Sequence, residues 1–420
     1  RIAARDVAIQ GGKGAITSVA GTIDATATAP GTTGGSVDVR GDRVGLFDAT
    51  IDVSGPAGGG DVRVGGDFHG GSGERASRTY VSDGTTIRAD ATSSGDGGSV
   101  VVWSDEVTRF AGQISARGAG NGVGGQAEVS GKDSLIYDGF ADLRGTNGSK
   151  GTLLLDPKNI IIQTGGADTL AGNTAFADAS ALDRTFSPAT IEAGLDGANL
   201  TLQANNDITI NNDIDASGNA GVGDLTLQAG RSIIIDADVT LRGSFSATAN
   251  DTDAALVAAQ RDAGAATITM SAGRTIDTSA TGGDITLRVL EGGAADTSAS
   301  TMTIASLNAG AGDVLARYAG PTANQGIQRA DGASTITAAT AAFATNGSGG
   351  GGFVGTSAEP IQLSVDNLEA VAQRNGAFFS NDKDLDIGGS ALGGLTGISV
   401  TSSAVAGDLE LDVAGAINVT

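Results

Sequence analysis

Few residues in this chain have the type and spacing for chemistry. The most suggestive set is Asp382, Asp384 and Asp386, which alternate after Asn381 and precede Gly388. Hard carboxylate oxygens at that spacing suit calcium. The closing glutamate of an EF-hand loop is missing, and so is the RTX nonapeptide. Alternation would place all three carboxylates on one outward strand face, so a solvated acidic face is the plainer reading. Arg40-Gly41-Asp42 spells a tripeptide that some adhesins present to integrins. Recognition would need a protruding loop, whereas Gly41 reads as the turn glycine closing the strand that contains Val37 and Val39.

Other patterns carry less. Gly120-Asn121-Gly122-Val123-Gly124-Gly125 fits G-x-G-x-x-G, but it leads into AEVSG, a strand pattern, where a dinucleotide site needs a helix. His69 is the only histidine and there is no cysteine, so a zinc site lacks ligands. Ser-His-Asp catalysis has no supporting motif, and His69 reads as a loop residue. Trp103, Tyr80, Tyr137 and Tyr318 are too scattered to form a sugar platform, and Trp103 reads as packing near a corner. Asn205, Asn206, Asn211 and Asn212 read as turn residues that tolerate left-handed backbone or stack as ladders. No catalytic residue, cofactor site or metal site is assigned.

The elements that would position these residues come from the composition and the repeats. The chain has 420 residues, 68 glycines, 6 prolines and only fifteen aromatic residues. A core built on Ala, Val, Ile and Leu suits a narrow interior of β-strands. The formal charge of −23 repels nucleic acid and anionic lipid, and no basic patch offsets it. No apolar run is long enough to span a bilayer, and no signal peptide is visible.

Paired glycines punctuate the first part of the chain. Gly35 to Gly60 is 25 residues, Gly60 to Gly98 is 38, Gly98 to Gly125 is 27 and Gly125 to Gly151 is 26. Short alternating strands lie between them. A period near 25 marks a solenoid whose units bury their apolar faces against each other, here one coil of a parallel β-helix. The glycines are expected at turns, where positive φ is cheap for them.

The expected organisation is β-helix repeats over 1–156, with an inserted loop near 68–80. A loop with short helices follows over 157–199, on the outside of the solenoid. Ser187-Pro188 there reads as a helix N-cap followed by proline in the first turn. Repeats resume over 200–330, and 331–420 is irregular. LTLQANNDITI at Leu200 recurs as LTLQAGRSIII at Leu225, an offset of 25. A third copy, ITMSAGRTI, begins at Ile268, an offset of 43. The extra 18 residues are assigned to a helical insertion near 245–264, centred on DTDAALVAAQRDAG. The chain opens inside a repeat and stops directly after a strand, which points to a piece of something longer.

The segments GGDVRVGGDF, GDGGSVVVWSD, TRFAGQISARG, GTLLLDPKNI and LTLQANNDITI resemble the shaft of large exoproteins of the filamentous-haemagglutinin type, secreted by two-partner systems. Together they cover roughly residues 34–235. The resemblance implies an all-β, right-handed parallel β-helix at the surface of, or released from, a Gram-negative bacterium. It implies passage through an outer-membrane β-barrel transporter and a role in adhesion, aggregation or biofilm on host, bacterial or polysaccharide surfaces. It carries over no binding residues. The family's amino-terminal secretion domain is not evident, nor is a toxin domain. The expectation is therefore a non-enzymatic shaft with no nucleic-acid partner and no insertion into a membrane. Two alternatives stand beside it: a carbohydrate-active β-helix enzyme, and an extracellular filament subunit assembling end to end.

Overall fold

A computed structural model describes residues 1–147, 149–165, 175–176, 184–254, 260–291, 300–320, 325–346, 352–401 and 408–420. Among the described residues the strands pair in parallel, and a coil such as that of Gln126–Gly131, Ser134–Tyr137 and Phe140–Asp142 gives one strand to each of three sheets, so the chain is an all-β parallel β-helix. It divides into two compact units: residues 1–203 with 219–223, and residues 204–218 with 224–420.

In the first unit, one sheet stacks Asp6–Gln10, Ser36–Arg40, Asp61–Val64, Ser99–Ser104, Gln126–Gly131 and Thr152–Asp156. Its register runs Ser36–Asp61–Ser99–Gln126–Thr152, which reproduces the glycine spacings read from the sequence. A second sheet stacks the first half of Arg43–Asp52 with Arg78–Val81, Val107–Phe110 and Ser134–Tyr137. A third stacks its second half with Thr86–Arg88, Gln113–Ser115 and Phe140–Asp142. Val62, Val100, Val102, Val129, Ile87 and Ile114 point inward and are buried.

The paired glycines serve a different purpose from the one expected. Gly34, Gly35, Gly59, Gly60, Gly97, Gly98, Gly124 and Gly125 are absent from the positive-φ positions. They sit where successive coils touch. A Cβ on Gly125 would strike the carbonyl oxygen of Gly98, and a Cβ on Gly98 would strike that of Gly60. One corner is closed instead by threonine hydroxyls. Thr79 Oγ1 donates to the carbonyl of Trp103 at 2.8 Å, and Thr108 Oγ1 to that of Ser130 at 2.6 Å.

The predicted helix exists, as Pro188–Gly197, with Ser187 Oγ accepting from the Thr190 amide at 3.1 Å. It does not lie outside the coil. Ile191 and Leu195 are buried, and the Leu143 amide donates to the Gly197 carbonyl at 3.0 Å. The third sheet's ladder makes the same bond from Ala116 to Asp142, so the helix takes the place of one strand. Residues 157–199 also contain the strands Ile160–Ile162 and Arg184–Phe186. Residues 166–174 and 177–183 of that segment lie outside the described residues.

In the second unit, Ile208 pairs with Ile233, which bears out the 25-residue repeat. The third copy was misaligned. Ile268 pairs with Ile233, while Leu225 pairs with Phe245, and Phe245 with Ile285. ITM and III share an alternating apolar pattern, so the sequence could not tell which face each belonged to. Phe245–Ala249 is therefore a strand of the coil, and the inserted segment starts after it. Residues 251–254 and 260–264 contain no α-helix, and 255–259 lie outside the described residues.

Candidate functional site

The Ser99–Ser104 and Thr152–Asp156 strands read SVVVWS and TLLLD, without alternation. Val101, Trp103, Glu128, Ser130, Leu154 and Asp156 point away from the core, yet all are buried. Val101 pairs with Glu128, and Glu128 with Leu154; Trp103 pairs with Ser130, and Ser130 with Asp156. These two rows form a patch on the outer face of the first sheet, so something must cover them.

Over Trp103, Glu128 and Asp156 the cover is the inserted segment. It runs from Gly65 to Ser77, three residues earlier than the expected 68–80 loop, since Arg78–Val81 is already a coil strand. His69, Gly70 and Gly71 have φ of 50°, 76° and 48°. Three left-handed residues in a row turn the chain sharply, and histidine is among the side chains that tolerate this backbone. The turn aims the His69 amide at Glu128 Oε2, 2.9 Å away. His69 Nδ1 lies 3.9 Å from Asp156 Oδ2, an ion-pair distance. Gly70 lies flat on the indole, where an added Cβ would come within 2.6 Å of Trp103 Cζ2. The Arg75 guanidinium sits 5.6 Å from the centre of the same ring.

Charged pairs fasten both ends of the segment. Asp67 Oδ1 accepts from Arg40 at 2.6 Å and lies 3.4 Å from Arg63. Arg75 lies 3.3 Å from Asp105, and Glu74 accepts from Gln10 at 2.7 Å.

Beneath this cover, Glu128 Oε1 and Asp156 Oδ1 are buried and have no hydrogen-bond partner. Burial pushes the Glu128 carboxyl up from 4.5 to about 7, opposed by the His69 amide. Burial also raises Asp156. The Asp156 carboxylate in turn raises His69. The arrangement can store a proton and exchange it near neutrality. Among the described residues no group of three or more His, Cys, Asp or Glu is placed to hold a metal ion.

The candidates read from the sequence fall elsewhere or play other parts. Arg40 contacts Asp38 and Asp67 and is largely buried. Asp42 Oδ2 accepts from the Gly14 amide at 3.1 Å, and its carbonyl from Ser77. Arg40-Gly41-Asp42 is thus a fastened coil corner and not a projecting loop. The Asp382, Asp384 and Asp386 set does not share one strand face, because the strand there is Leu385–Ile387. Asp382 and Asp384 lie in the turn before it. Asp384 Oδ1 accepts from the Ala416 amide at 2.7 Å, and Asp386 from Asn418 at 3.2 Å. The G-x-G-x-x-G stretch is a turn entering the Gln126–Gly131 strand. Asn205, Asn206, Asn211 and Asn212 are not left-handed; Asn250 and Asn375 are. Tyr137 stacks on Phe110 at 5.5 Å and Tyr80 tilts against Phe47 at 5.3 Å, so neither joins Trp103 in a platform.

Glu128 and Asp156 were missed by sequence reasoning, since single acids in period-two strands read as solvated. The visible signal was the apolar outward positions beside them, Val101, Trp103 and Leu154, which imply a strand covered on both faces.

A second buried glutamate fastens a second loop. Glu369 is fully buried in the Ile361–Ala372 strand. Its Oε1 accepts from the Ser390 amide and hydroxyl, both at 3.1 Å, and its Oε2 from the Gly397 amide. Both oxygens are satisfied, unlike those of Glu128.

The fold places the chain among parallel β-helix proteins, a class that holds shafts and enzymes alike. Comparison with protein-family models and with curated proteins finds no match for this chain. Among the described residues no helix is long and apolar enough to cross a membrane.

Proposed function

We propose that this chain is a segment of a secreted or cell-surface shaft of the filamentous-haemagglutinin type. Its work is reach and display, and through them adhesion, aggregation or biofilm formation. The motif order quoted above supports this reading, and so does the use made of the acidic side chains. The observation that carries it is that these carboxylates are spent on holding the coils and their loops together. Asp67, Asp384 and Glu369 bind arginine or backbone amides, and Glu128 and Asp156 are closed over. Glycoside hydrolysis needs two carboxyl groups flanking an open sugar site.

Export would use an outer-membrane β-barrel transporter, and the partners would be host, bacterial or polysaccharide surfaces. Beads coated with the purified chain should bind such surfaces more than uncoated beads do. A panel of acidic and neutral polysaccharides should yield no new reducing ends or unsaturated products. Polysaccharide cleavage without bead binding would overturn the shaft reading in favour of a carbohydrate-active enzyme. Electron microscopy of the same material tests self-association into filaments.

A further inference from the structure

We propose that the segment Gly65–Ser77 is a pH-operated strap, closed over the outer sheet face while the His69–Glu128–Asp156 group keeps its protons and released as they are lost. The geometry carries this. The strap is an insertion whose ends stay in the coil ladder, the Gly65 amide donating to Val39 and the Ser77 amide to Asp42, so lifting its middle leaves the register intact on both sides of it: Asp61 stays paired with Ser99, and Arg43 with Arg78. Beside the packing of Gly70 and Arg75 on Trp103, the polar ties of its middle to the sheet are one hydrogen bond to Glu128 and one ion pair to Asp156. Each of these carboxyl groups has one buried oxygen with no partner.

The titratable groups facing Glu128 are His69 from the strap and Asp156 from the neighbouring strand. The other charges on the strap are engaged at its ends: Asp67 with Arg40 and Arg63, Glu74 with Gln10, and Arg75 with Asp105. With Glu128 protonated, the group holds one imidazolium against one carboxylate. Losing the Glu128 proton buries a second negative charge, and losing the imidazolium proton then leaves two carboxylates with no cation between them. A buried, unpaired charge is relieved by hydration. Here hydration requires the strap to lift. Lifting exposes the Trp103 indole beside both carboxylates.

Trp103 is the chain's only tryptophan, so its emission reports the strap directly. Raising the pH from about 5 to about 9 should shift the emission to the red and increase acrylamide quenching severalfold, with far-UV circular dichroism unchanged. Glu128→Gln should abolish the transition or move it up by at least about one pH unit. His69→Asn, which suits the left-handed backbone, removes the cation and should move the transition down. An unchanging indole signal in the unmodified protein would refute the strap. So would a Glu128→Gln variant with an unaltered midpoint. Should that variant not fold, an unmoved midpoint in His69→Asn would refute it equally.

Discussion

The glycine ladder gives the sharpest quantitative test. Gly125 lies under the Gly98 carbonyl and beside the Ala116 side chain, where a Cβ would be 2.9 Å from Cβ of Ala116. Gly125→Ala must push two coils apart or tilt one peptide. Two ladder bonds converge there. The Gly125 amide donates to Ala116 at 2.8 Å, and the Gln126 amide donates to that same Gly98 carbonyl at 3.0 Å. Leaving a buried backbone group unpaired costs about 1–3 kcal/mol. Loss or distortion of both gives roughly 2–6 kcal/mol. Gly12, with nothing within 4 Å, serves as the control. Gly12→Ala should be neutral or stabilising by up to about 1 kcal/mol, because it only narrows the unfolded ensemble. Coils need not unfold together, so the assay is amide hydrogen exchange resolved by coil. Protection should collapse around Gly98 and Gln126 and persist in more distant coils. Gly125→Asn separates the two roles of glycine. Asparagine accepts left-handed backbone and would rescue a turn, but it cannot relieve a collision. A Gly125→Asn or Gly125→Ala variant within about 0.5 kcal/mol of the unmodified protein would refute the close-approach argument.

The two buried glutamates should respond oppositely to the same substitution. Glu128 has a folded-state value raised from 4.5 to about 7. The stability associated with its protonated form is complete below about pH 4.5 and is lost as pH rises through about 7, some 3 kcal/mol in all. Glu128→Gln should therefore stabilise the first unit above pH 7 and flatten its pH dependence, measured by denaturation across pH. Glu369→Gln should instead destabilise the loop over 388–397 by about 2–3 kcal/mol at neutral pH, since an amide N–H₂ would face backbone donors; exchange at the Ser390 and Gly397 amides reads this. Ser187→Ala should cost about 1 kcal/mol through the lost cap, seen as faster exchange at Thr190.

The coil was legible because its signals are local and repeated. Alternation at Val37 and Val39 marks a strand, and glycine pairs fix where each coil restarts. The register of the first sheet between Ser36 and Thr152 could be read to the residue for that reason. Why the glycines are required was not legible, since contact between coils is a through-space fact. The face assignment of Ile268–Met270 failed because short apolar strands look alike when insertions alter the spacing between them. The buried acids were hidden for a related reason. A period-two pattern reports which way a side chain points, but not what a distant loop brings down on top of it. Only the outward valine, tryptophan and leucine beside Glu128 betrayed that cover.

The first sheet, continued by Asn199–Ala204, keeps its register although its successive strands are 30, 25, 38, 27, 26 and 47 residues apart. Whatever is spliced in at a corner leaves the next rung where it was. Such a scaffold separates the part of the gene that must be copied faithfully from the part that can drift. Between Asp67 and Arg75 the coil register sets no constraint, and the residues are tied down by the contacts of His69, Gly70 and Arg75 with the covered face. That is a licence for change at the corners on an unaltered frame.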